Sequence, residues 1–305
     1  MTSWPTKQIS DSGAKPEALS SQVTLPGSAQ RNGVKGLAQG DLVYLGCLAV
    51  AGLGIWVRDT AWLSAPEETL AILAVVPLFV WLGAPWRIRQ ASGPLPLGPL
   101  VGAALLATAG LVLDTTILLA AAWTFALWVW LKNRVAADAT LLRRLAILPV
   151  MAFPWVALDL TPVGWWFRLS AAWVVDHAYG AMGFSVLREG TNLLVRNIPI
   201  DVAAPCSGLN SLQAILMGGL VLTWMEFGRS RAYWWIVASL PLLAWVVNTV
   251  RVCSVVALAV GLGPEAANGS LHQLGGWAVV LVVFGAWWGT ARWIAGARPA
   301  KRTAA

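Results

Sequence analysis

Between residues 232 and 262 the chain reads AYWWIVASLPLLAWVVNTVRVCSVVALAVGL, with Arg251 as its only charge. A helix of roughly 20 apolar residues crosses a bilayer, so this stretch is more than long enough to span one. Comparable runs occupy residues 42–57, 69–86, 95–113, 115–131, 145–162, 207–225 and 273–294. Hydrophobic residues make up 58% of the sequence and charged ones only 11%, a balance that exceeds what a soluble domain buries. The expected fold is therefore an all-α polytopic membrane protein with about eight transmembrane helices in contact with lipid.

The net charge of +7 has to be read by location. Arg87 and Arg89 follow the second run, Lys132, Arg134, Arg143 and Arg144 the fourth, and Arg229 and Arg231 the sixth. Arg298, Lys301 and Arg302 lie at the C-terminus, and Lys7, Lys15, Arg31 and Lys35 lie in the N-terminal tail. All fall on one side when both termini are on that side, which the positive-inside rule makes cytoplasmic. The opposite short loops carry Asp59, Glu67, Glu68, Asp114 and Glu265, with Arg58 as the one misfit. Basic residues placed by topology leave no basic stripe for nucleic acid, so no nucleic-acid partner is expected.

Residues 1–38 are polar and read as a disordered cytoplasmic tail, not a signal peptide. Residues 39–162 hold helices one to five, and residues 297–305 form a basic cytoplasmic tail. The intervening region, 163–296, holds an outer segment and helices six to eight. The outer segment begins GWWFRLSAAWVVDHAYGAMG, which suits a short helix at or dipping into the outer interface. It continues SVLREGTNLLVRNIPIDV, where Glu189-Gly190 and Asn192 between branched residues suggest a small hairpin before helix six.

Polar residues concentrate in APCSGLNSLQ, at the outer start of helix six. Pro205 suits a helix start, and Cys206 then sits where free N–H groups and the helix dipole lower a thiol's pKa. Gly208 allows a peptide backbone to approach, so Cys206 is a candidate nucleophile with Ser207 and Gly208 beside it as oxyanion donors. The alternative is that Cys206 is a small buried hydrophobe, the reading kept for Cys47 and Cys253. Cys253 falls on another helix face from Arg251, which argues against a Cys206–Cys253 disulfide.

Arg251 lies roughly 28 Å along helix seven, near its outer boundary, where an arginine is costly unless functional. Asn248, one turn earlier, is placed to orient it or a substrate. The alternative for Arg251 is snorkelling to the headgroups. His272, in NGSLHQLGGW at the outer start of helix eight, suits proton transfer, or a cap at the interface. His177, beside Asp176, is an alternative base whose Trp-rich helix favours a structural role. No metal-ligand spacing is present, and no metal or cofactor is expected.

Taken in order, APCSGLNSL, NTVR and SLHQLGGW resemble the exosortase and archaeosortase family, best over residues 145–294. The resemblance implies a membrane-embedded cysteine protease or transpeptidase with Cys206 as nucleophile, Arg251 as the arginine and His272 at the final catalytic position. Histidine there points to the bacterial exosortase branch. Implied substrates are exported proteins with a C-terminal motif of the PEP-CTERM class, a transmembrane helix and a basic tail. Cleavage would go through a thioester at the periplasmic face of the inner membrane, alongside exopolysaccharide production, with the acceptor unspecified. Rival expectations are a transporter or channel using Arg251, Asn248 and Asp159, a serine peptidase using Ser207 or Ser211, and a non-catalytic part of an exopolysaccharide assembly.

Overall fold

The computed structural model describes residues 38–64, 66–89, 93–201, 209–263, 265 and 270–296. The two tails thus lie almost wholly outside the described residues. The helices are α1 (Gln39–Arg58), α2 (Pro66–Gly83), α3 (Leu97–Val112), α4 (Thr116–Arg134), α5 (Ala139–Leu145), α6 (Trp155–Asp159), α7 (Thr161–Ala181), α8 (Leu209–Phe227), α9 (Tyr233–Leu262) and α10 (Ser270–Ala295). Among the described residues four stretches are long and apolar enough to cross a membrane, in α1, α4, α9 and α10, and shorter apolar helices lie in α2, α3 and α8. Large exposed side chains such as Val50, Leu105, Trp235, Leu281 and Trp293 face outward, as a lipid-facing surface requires.

The fifth expected span is not one helix. Residues 139–159 form α5, a 3₁₀ turn over Leu148–Ala152, and α6. Pro149 and Pro154 supply no N–H and clash with the preceding turn, which breaks the helix. Val150 would ordinarily bond the N–H of residue 154; instead the Trp155 indole donates to its carbonyl at 3.0 Å. The Trp56 indole likewise reaches the Ala152 carbonyl at 2.7 Å. Leu148, Met151, Phe153 and Val156 are buried, so the irregular backbone is shielded from lipid, the condition under which it is tolerated at membrane depth.

Indole N–H groups also join the helices, since each must find an acceptor once buried. Trp123 donates to the Leu48 carbonyl of α1, Trp224 to the Leu141 carbonyl of α5 and Trp287 to the Ser239 hydroxyl of α9. Asp114, at φ +54°, turns the chain tightly between α3 and α4, and Gly110 packs directly on Leu119.

Not every basic residue expected in the cytoplasmic loops is solvated. Arg134 is 7% exposed and its Nε lies 2.8 Å from Asp41, which is 6% exposed and also accepts from the Trp130 indole. Removing one partner of a buried pair strands the other charge. Asp41→Ala is expected to lose about 3–5 kcal/mol of stability, and Asp41→Ala with Arg134→Met much less. Denaturation midpoints of the purified variants in one detergent check both. Arg144 is buried too: it donates to the Phe227 and Gly228 carbonyls and stacks on the Tyr233 ring at 4.6 Å. Nearby, Asp138 caps α5 through the Thr140 and Leu141 N–H groups, and those bonds hold its carboxyl below the ordinary range.

The outer segment departs from expectation in two respects. The sheet has three strands, β1 (Val186–Glu189), β2 (Asn192–Val195) and β3 (Ile198–Asp201), in antiparallel order β1-β2-β3. Gly190 at φ +62° opens the first two-residue turn, where the hairpin is expected. The second turn uses Arg196 and Asn197, both with positive φ, the backbone a tight hairpin needs. Leu193 and Val195 of β2 bury against α7 and against Val252 and Val256 of α9. The short interfacial helix expected at the start of the segment is instead a 21-residue helix, α7, packed along α9 through Trp245–Ser170 and Tyr179–Cys253 hydrogen bonds.

Candidate active site

The Arg144 clamp sets the geometry of α8 and α9. It holds the last residue of α8, Phe227, and the first of α9, Tyr233, at one end of the bundle. Leu209 and Arg251 each lie 18 residues from those anchors, about 27 Å along their helices. Midway, Gly219 lets the Leu240 side chain seat against the α8 backbone; a Cβ there would come within 2.3 Å of it. The pair therefore runs antiparallel in register, and the start of α8 is level with Arg251.

The last helix brings a third element to that level. The Arg251 guanidinium lies against Gly276 of α10, where an added Cβ would meet Nε at 3.2 Å and Cζ at 3.8 Å. His272 belongs to the first turn of α10, four residues before Gly276 and so on the same face. Its side chain lies outside the described residues. The helix backbone thus brings Arg251 within about one turn of position 272.

Cys206, Ser207 and Gly208 lie outside the described residues. They belong to the connection between β3, ending at Asp201, and α8, starting at Leu209. Both ends of that connection are anchored: β2 and β3 pair with each other, β2 packs against α7 and α9, and α8 packs on α9. Asn248 is fully buried, and neither its Oδ1 nor its Nδ2 has a partner among the described residues.

Other candidates fall elsewhere. His177 Nδ1–H donates to the Trp173 carbonyl at 2.9 Å, and the ring lies against the Trp173 ring with centroids 4.1 Å apart. Asp176 pairs with Arg188 Nε at 3.5 Å and ties α7 to β1. Asp159 accepts from the Thr116 and Ile117 N–H groups and so caps α4, which accounts for its carboxylate without any transport pathway. Cys253 has a free thiol, and among the described residues no group of His, Cys, Asp and Glu could hold a metal ion.

Two residues outside the sequence-based candidates matter here. Gly276 is legible in the sequence only as part of LGGW, although a small residue one turn from His272 is what an arginine on the facing helix needs. Gln213 is 3% exposed on α8, with Oε1 unpartnered among the described residues. Enlarging Gly276 tests the first contact. If Arg251 is catalytic, as the sequence leads one to expect, Gly276→Val should displace it and lower turnover roughly 10-fold or more, with Gly276→Ala intermediate. Turnover of both variants, read beside their detergent melting curves, checks this.

A family model described as transmembrane exosortase (EpsH) matches residues 42–289, a span that includes Cys206, Asn248, Arg251 and His272. No curated protein matches the chain, and no solved structure does.

Proposed function

The chain belongs to the transmembrane exosortase family, and on that premise we propose that it is a cysteine peptidase or transpeptidase of the bacterial branch, cleaving C-terminal sorting signals of exported proteins. At family level such signals are of the PEP-CTERM type. The observation that carries the reading is the convergence of Arg251, the start of α8 and the first turn of α10 at one level of the bundle. That level is opposite the end where Arg134 and Arg144 lie. Positive-inside bias puts the basic end in the cytoplasm and the site at the periplasmic face of the inner membrane. On this reading residues 163–296 are the catalytic region.

The chemistry proceeds in two steps. His272 takes the proton of Cys206, and the thiolate attacks the scissile carbonyl of the substrate. The oxyanion is held by Arg251 and by N–H groups at Ser207 and Gly208. The C–N bond breaks, His272 returns the proton to the leaving amine, and the released helix departs with its basic tail. The acyl group stays on Cys206 as a thioester until water or an acceptor nucleophile attacks. Asn248 supports the site from one turn deeper.

Replacing Cys206 and following a tagged substrate tests this. Accumulation of uncleaved precursor supports it; continued cleavage returns the chain to the transporter or assembly-component readings.

A further inference from the structure

Buried amides normally have partners, because an unmet donor or acceptor in a low-dielectric interior forfeits the hydrogen bonds it would make to water. Asn248 and Gln213 both break that rule. Asn248 has its donor and acceptor free among the described residues, and Gln213 its acceptor. Their exposures are 0% and 3%.

The two share one location. In the antiparallel register that seats Leu240 on Gly219, Gln213 is level with Val246 of α9, two residues from Asn248. Counting about 100° per residue from that contact, both amides fall on the same side of the α8–α9 pair. Both also lie deeper than Arg251: Asn248 is about 5 Å toward the bundle centre, and Gln213 about 6 Å in from the first residue of α8.

We propose that Gln213 and Asn248 form an amide pair that binds the unwound peptide backbone where the substrate's membrane helix begins. The inference rests on the peptidase reading above. A peptide bond open to attack is not in a helix, so the residues next to it carry unpaired N–H and C=O groups. At membrane depth those groups need partners. The residues on the leaving side of the scissile bond continue into the membrane, past the level of Arg251, where the two amides lie. Gln213 Oε1 accepts from a substrate N–H, and Asn248 both donates to a carbonyl and accepts from the next N–H.

The test uses Gln213→Met and Asn248→Leu, which keep approximate shape and remove the amides. Expected is a KM for a full sorting-signal substrate raised roughly 10- to 100-fold with kcat little changed, the signature of lost ground-state binding. Melting points in detergent should be equal or higher, since each variant removes an unmet polar group. Kinetics within twofold of the parent overturn the proposal and leave the amides as sites for internal water only. Because a variant could fold poorly, Gln213→Cys in a Cys206→Ala background gives a second measurement. A substrate with cysteine in the first turn of its helix should form a disulfide with it under mild oxidation, beyond any formed with Cys206→Ala alone. No such adduct overturns the proposal. Cleavage persisting in Cys206→Ala alone overturns the peptidase reading itself, whereas its loss together with normal cleavage by both amide variants overturns this inference only.

Discussion

Cys206→Ala and Cys206→Ser are both expected to leave the substrate as uncleaved precursor, with turnover down roughly 10⁴-fold or more, as when a catalytic nucleophile is removed. The serine variant is the more informative. It keeps an oxygen nucleophile of similar size, but an alcohol is far less acidic than a thiol, and a site that favours a thiolate does little for it. A serine peptidase would instead depend on a native hydroxyl, so Ser211→Ala separates that rival: activity retained there and lost at Cys206 excludes Ser211 as the nucleophile. Precursor and product are read by gel shift of a tagged substrate in membranes. Equal protein levels and melting points across the variants keep loss of chemistry apart from loss of fold. Processing by Cys206→Ala at the parent rate would sink the assignment.

The sequence is most informative where a single physical term dominates. Long apolar runs locate α1, α2, α3, α4, α8, α9 and α10, because lipid exposure leaves little choice but helix. Where tertiary contacts decide, hydropathy is silent. Residues 145–162 have the composition of a span, yet Pro149 and Pro154 break them, and only burial among neighbouring helices makes that break tolerable. The third strand has no local signal, because Arg196-Asn197 lacks the Asn-Gly pattern that marks tight hairpins. Arg134 and Arg144 read as loop charges, since contacts across 93 or 83 residues of chain have no local pattern.

The candidate site divides along the same line. Asn248 and Arg251 are legible as polar residues where an apolar helix has no use for them, and His272 as an imidazole at a helix start. Their company is not legible: Gly276 and Gln213 acquire meaning only from the register of α8, α9 and α10. Asp159 shows the converse, since a carboxylate at an apparent pathway position is a helix cap once α4 is in view.

Arg251 carries the second large expectation. On the proposed reading it stabilises the oxyanion and favours the Cys206 thiolate, so Arg251→Gln should lower turnover about 10²- to 10³-fold. Arg251→Lys should recover only part, because an ammonium offers a point charge in place of the planar fork that Gly276 accommodates. A cation near a thiol lowers its pKa, and its removal raises it. The pH at which Cys206 becomes open to alkylation should therefore move upward in Arg251→Gln, and less in Arg251→Lys. An arginine that merely snorkels to headgroups would shift neither turnover nor alkylation. Full turnover in Arg251→Gln with an unchanged alkylation profile would separate Arg251 from Cys206 and reopen the transport reading; loss of turnover with an upward shift joins them in one site.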